Sequence, residues 1–97
     1  MTNALIIDKK DNVVVAIEEV RSGDTVTYLL EGTPVSLTAA EDITIFHKLA
    51  SCDIPKGQPV IKYGEYIGYA ACDIKKGQHV HVHNVASPDR STASERS

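Results

Sequence analysis

The stretch "HVHVHN", His79 to Asn84, places an imidazole at every second residue and ends on a carboxamide. Residues two apart in an extended strand share a face, about 6.6 Å from each other. His79, His81 and His83 would then look one way, with Val80 and Val82 on the opposite, core-facing side. Imidazole serves both as a metal ligand and as an acid or base near neutral pH. Two neighbouring members of the row can share one ion with Zn–N bonds of about 2.0–2.1 Å, but the third lies about 13 Å from the first on a flat strand. A metal site drawn from His79, His81 and His83 therefore needs help from elsewhere, and the one remaining histidine is His47. The competing reading is a row of imidazoles turned to solvent or to a partner.

His47 and Lys48 interrupt an apolar run between Phe46 and Leu49. A solvated edge accounts for them; so does an anionic ligand such as a carboxylate, faced by imidazole and ammonium. In "IKYGEYIGYA", Lys62 and Tyr63 lead into Gly64, which reads as a hairpin turn, while Gly68 reads as a strand glycine approached by another backbone. There is no Gly-x-Ser-x-Gly elbow, no phosphate loop, and no cysteine with a histidine base beside it in sequence. These residues do not make a self-sufficient active site.

The elements that must hold them are short. Three segments align without gaps: "VAIEEVRSGDTV" from Val15, "LASCDIPKGQPV" from Leu49 and "YAACDIKKGQHV" from Tyr69. Each has alanine second, an acidic residue fifth, a branched aliphatic sixth, glycine ninth and valine twelfth. Each reads as a strand, a tight turn and the start of another strand. Pro55 at the second turn position and Gly57 at the fourth suit a type I turn. "NVVVAIEEV", "TVTYLLEG", "TPVSLT", "QPVIKYG" and "HVHVHNV" all have strand character. "TAAEDITIFHKLA" has room for one short helical turn at Ala39 to Asp42, capped by Thr38. The expectation is an all-β, barrel-like domain over residues 1–85. The segment 86–97, "ASPDRSTASERS", lacks large apolar residues and is expected to be a flexible tail.

Composition limits the partners. A chain of 97 residues supports one small core. A net charge of −3, with both signs interspersed, offers no basic face for nucleic acid. The apolar run Ala4 to Ile7 is too short for a signal peptide or a membrane span, so a cytoplasmic protein is expected. There Cys52 and Cys72, in matching contexts, would be reduced, and they read as small buried side chains. Exposed strand edges make a homodimer an option.

The run "FHKLASCDIPKGQPVIKYGEYIGYAACDIKKGQHVHVHN" resembles the N-terminal SAF-type domain of the altronate and galactarate dehydratase family, whose pattern it follows from His47 to Asn84. With the opening "DNVVVAIEEV", the resemblance covers about Asn3 to Asn84. Phe46 departs from it, standing where the family usually has glycine. The resemblance implies a SAF-type β-clip. It also implies the small-subunit version of such enzymes, a group that includes sulfolactate sulfo-lyase, because the large catalytic region of the full-length dehydratases is missing here. The implied reaction removes water or sulfite from a 2-hydroxy acid to give a 2-keto acid. A separate large catalytic subunit would carry most of the machinery and a divalent metal, iron in the dehydratases. No tightly bound cofactor is expected on this chain alone. His47 and Lys48 would act on the carboxylate or leaving group, and Lys62, Tyr63, Gly64, His81, His83 and Asn84 would serve substrate binding or the subunit boundary. Two alternatives stay open: a stand-alone binding module for carbohydrates or sugar acids, and a metal-dependent enzyme complete in this chain.

Overall fold

The computed structural model describes residues 2–86. Among the described residues nine strands form, β1 (Ala4–Leu5), β2 (Val13–Ala16), β3 (Thr25–Leu30), β4 (Thr33–Thr38), β5 (Lys48–Ala50), β6 (Pro59–Lys62), β7 (Glu65–Ala70), β8 (His79–Val80) and β9 (Val85–Ala86). They make three small antiparallel sheets, ordered β1-β2-β5-β8, β3-β4 and β6-β7-β9. The all-β expectation holds. Among the described residues there is no helix, and so none long and apolar enough to cross a membrane. The tail expected over 86–97 lies outside the described residues except for Ala86, which pairs with Tyr69 in the β7–β9 ladder.

The helical turn expected at Ala39 to Asp42 is absent, and what replaces it explains the architecture. Thr38 to Leu49 repeats the strand–bend–bridge–turn–strand course of the other three segments, except that Ala39 lies just past the end of its strand. Ala39, Asp42 and Ile43 fill the second, fifth and sixth positions. The domain is thus built from four copies of one motif, packed as two pairs. Val20 bridges Ile43 in the first pair and Ile54 bridges Ile74 in the second, each through two reciprocal backbone hydrogen bonds of 2.7–3.0 Å.

The acidic fifth position closes each pair. In the first pair the Asp42 carboxylate accepts the Ser22 N–H at 2.9 Å, and Glu19 accepts the Ile45 N–H at 3.1 Å. In the second, Asp73 accepts from Lys56 and Asp53 from Lys76, both at 2.9 Å. Every one of these carboxylates serves the eighth position of the opposite copy, so one swap satisfies both turns. Positions two, six and twelve supply the core: Ala16, Val20, Val26, Ala39, Ile43 and Leu49 in one cluster, and Ala50, Ile54, Val60, Ala70, Ile74 and Val80 in the other. Burying each Val, Leu or Ile contributes about 1.5–3 kcal/mol, while the alanines let the paired backbones come close.

The turns are not the type I turns read from the sequence. Gln58 N–H donates to the Pro55 carbonyl at 3.0 Å, which makes Pro55 the first turn residue and Gly57 the third. Gly57 has φ of +89°, as a type II turn requires at that position. Gly23 and Gly77 occupy the ninth position in two other copies with φ of +91° and +88°, and in the remaining copy Phe46 takes it at +70°. A side chain with a Cβ is disfavoured there by about 1–2 kcal/mol. The cysteines are also corrected: Cys52 and Cys72 fall on the bends, where both are exposed free thiols rather than buried side chains.

Phe46 is 71% exposed, so its ring gives back little by burial. Replacing it by glycine relieves the backbone, less about 0.5–1 kcal/mol for glycine's greater unfolded-state freedom. Phe46→Gly should therefore raise the stability measured by urea unfolding by about 0.5–1 kcal/mol. A lower midpoint would show that the ring, not the backbone, governs this turn.

Candidate functional site

The turn that carries Phe46 delivers His47, whose N–H donates to Thr44 and whose carbonyl accepts from Ala16, both at 2.9 Å. His47 leads directly into β5, which pairs with β8 through Leu49 opposite His79 and Lys48 opposite Val80. That antiparallel register carries His47 towards His81. The rings of His47 and His81 stack at 4.4 Å between centroids, and those of His47 and His79 at 5.1 Å. His47 Nδ1 lies 2.9 Å from His79 Nε2, a hydrogen bond in which one ring must be the donor and the other the acceptor. His47, His79 and His81, all half-buried, each offer a ring nitrogen, and these atoms lie within 4.8 Å of one another.

The alternating strand read over His79 to Asn84 ends after Val80. Asn84, nearly fully buried, folds the chain back: its Oδ1 accepts the His81 N–H at 2.9 Å and its Nδ2 donates to the His79 carbonyl at 2.7 Å. Val82, expected in the core, is 82% exposed as a result. The turn also removes the spacing problem of a flat strand, and His47 rather than His83 completes the group of three nitrogens. The exposed His83 keeps a tilted ring contact with His79, at 5.2 Å. Asn84 is thus a builder of the turn that presents His81.

Lys48 lies in a shallow cleft of about 240 Å³ with Ile67, His81, Val82 and Val85. Burial, reinforced by repulsion from Lys62, pulls the Lys48 ammonium below its ordinary value. Lys62 Nζ also sits 4.6 Å from the centre of the Tyr63 ring. Tyr63 and Gly64, both at positive φ, make the β6–β7 hairpin turn. The Gly64 N–H donates to buried Asp11 at 2.7 Å. Burial alone would raise Asp11, but N–H groups of Gly64, Asp8, Tyr63 and Ile7 outweigh it and hold the carboxyl below its usual range. Gly68 has the close neighbour its type suggested: a Cβ there would meet the Ala86 carbonyl oxygen.

The site therefore combines three clustered imidazoles with two cationic side chains, a set suited to an anionic oxygen ligand and to a borderline divalent ion. Sequence reasoning missed Glu41, which accepts the His79 N–H at 3.0 Å. It is the fourth residue of the motif copy obscured by Phe46, so recognising that copy was the way to place it.

Burial and then His47 depress His79, and burial and then His47 depress His81, so both imidazoles favour the neutral form. Below their ordinary value of 6.5 the unfolded chain takes up protons that the folded chain refuses. The contribution of these two imidazoles to stability should be level above that pH and decline as pH falls from it towards the depressed folded values. Urea midpoints at pH about 7.5 and about 5.5 check this, and the double variant His79→Gln, His81→Gln should flatten the difference. Asn84→Ala removes a buried bidentate bridge and should cost about 1–3 kcal/mol in the same assay. An unchanged midpoint would mean that the His81 turn holds without it.

Residues 2–88 match the family model described as the altronate/galactarate dehydratase SAF domain. The altronate dehydratase of Bacillus subtilis (strain 168) is 37% identical over 84 residues, which are 87% of this chain and 16% of that enzyme. The altronate dehydratase of Escherichia coli (strain K12) is 47% identical over 79 residues, 76% of this chain and 14% of that enzyme. The (2R)-sulfolactate sulfo-lyase subunit alpha of Chromohalobacter salexigens is 37% identical over 74 residues, 74% of this chain and 79% of that subunit. The chain thus spans about one-sixth of the dehydratases and most of the sulfo-lyase subunit. The motif pattern from His47 to Asn84, the all-strand fold and these matches agree: the chain belongs to the altronate/galactarate dehydratase SAF-domain family.

Proposed function

We propose that the chain is the SAF-domain subunit of a cytoplasmic lyase that eliminates water or sulfite from a 2-hydroxy acid, together with a separate large catalytic subunit. The observation that carries this reading is the grouping of His47, His79 and His81 with Lys48 beside His81 and Lys62 near enough to repel Lys48. Relatives named for a dehydratase and for a sulfo-lyase support the reaction class, and a relative named as subunit alpha supports the division of labour.

The elimination asks for specific help. A base removes the proton from the carbon bearing the carboxylate, hydroxide or sulfite departs from the adjacent carbon, and the enol tautomerises to the 2-keto acid. Negative charge builds on the carboxylate and then on the leaving group. Lys48 supplies a cation for the carboxylate, and Lys62 adds to the same field. An imidazole of the cluster donates a proton to the leaving group, and the His47–His79 hydrogen bond supplies a route to refill it. The large subunit provides the base and the remaining substrate contacts.

Native purification of the lightly tagged chain from its host should recover a large subunit in near-equal amount, and the eluate should form 2-keto acid from a sugar acid or from sulfolactate. In that complex His47→Ala should lower kcat by about 10²-fold or more, the usual contribution of positioned acid–base groups. Lys48→Ala should mainly raise KM. Recovery of the chain alone, with tight binding of a sugar acid and no turnover, would replace this reading with that of a binding module.

A further inference from the structure

The histidine group has a second property, exclusive of its use as a proton donor, because an ion on these nitrogens would replace the proton that His47 and His79 share. We propose that His47, His79 and His81 bind one divalent first-row transition ion, such as zinc or iron(II), on the chain itself. The observation that carries this is geometric. Ring nitrogens on two elements distant in sequence converge to within 4.8 Å, and the His47 Nδ1 to His79 Nε2 separation is 2.9 Å. With metal–nitrogen bonds of about 2.0–2.1 Å, two ligands at right angles sit about 2.9 Å apart and two tetrahedral ligands about 3.4 Å apart. The third nitrogen lies within 4.8 Å of both.

The donor chemistry selects the ion. Three neutral imidazoles suit zinc, iron, cobalt, nickel or copper and do not suit magnesium or calcium, which prefer oxygen. Three protein ligands also leave at least one position for water or another oxygen donor, as in catalytic rather than structural sites. The backbone around the group is fixed in advance. The His47 carbonyl is tied to Ala16, the His79 N–H to Glu41 and the His81 N–H to Asn84. Metal binding therefore orders little that is not already ordered. His83 stays outside the set, although spacing in the sequence places it in the row: its ring touches that of His79 at 5.2 Å, but the converging nitrogens are those of His47, His79 and His81.

Untagged full-length chain, stripped with chelator, should take up one equivalent of Zn²⁺ or Co²⁺ in calorimetric titration and none of Mg²⁺ at the same concentrations. His47→Ala, His79→Ala and His81→Ala should each weaken binding by more than about tenfold, the floor set by loss of even an outer partner of a metal site. His83→Ala should bind like the wild type. Circular dichroism checks the fold of each variant. Should the alanine variants unfold, Co²⁺ added to the wild-type chain decides the matter, broadening the ring resonances of His47, His79 and His81 more than those of His83. Absence of saturable binding overturns the proposal. So does a His83→Ala effect equal to that of His81→Ala.

Discussion

Everything in this domain depends on the exchange of carboxylates between paired motif copies. A bend and a tight turn leave backbone N–H groups without partners, and an unmade hydrogen bond costs more than a made one returns. Here the fifth residue of each copy reaches over to the eighth N–H of its mate, while the sixth residues bridge directly. A single copy could not do this, because its own carboxylate serves the other's turn. Pairing is therefore compulsory, and the two pairs bury two adjoining cores.

The pairing also places the imidazoles. His47 is the tenth residue of the second copy and His79 the eleventh of the fourth, so neither belongs to a dedicated loop. They meet because β5 runs from one copy into the next and β8 pairs along it. One residue of the second copy breaks the rule of its siblings: Phe46 holds a left-handed conformation that glycine holds elsewhere. That strain sits beside His47, where the chain must turn to face the imidazoles of β8 and the turn that follows it. A built-in cost next to a cluster of titratable groups fits the general link between backbone strain and functional positions.

Much of the fold was legible, and the reasons are physical. Alanine, acid, aliphatic and glycine at fixed offsets each have a task in the paired copies, so three copies stood out. The fourth was hidden because phenylalanine at the ninth position removed the glycine signal, and "TAAED" has fair helical propensity when read without its mate. The histidine row was half legible. Period-two spacing put the His79 and His81 rings side by side, as their stacking shows, but no local rule revealed that Asn84 would turn the chain after Val80. That event depends on the Asn84 side chain bonding His81 and His79 in a buried setting. His47 could be named as the only other histidine, while its contact with His79 followed from pairing across 32 positions.

The central claim is that the paired copies assemble His47, His79 and His81 into one group. Long-range nitrogen–proton NMR of the imidazoles, with ring-to-ring Overhauser contacts, tests this most directly. The account predicts contacts among those three rings, with His47 Nδ1 and His79 Nε2 showing one protonated and one unprotonated nitrogen sharing a proton. Four imidazoles with averaged tautomers and no mutual contacts would contradict it.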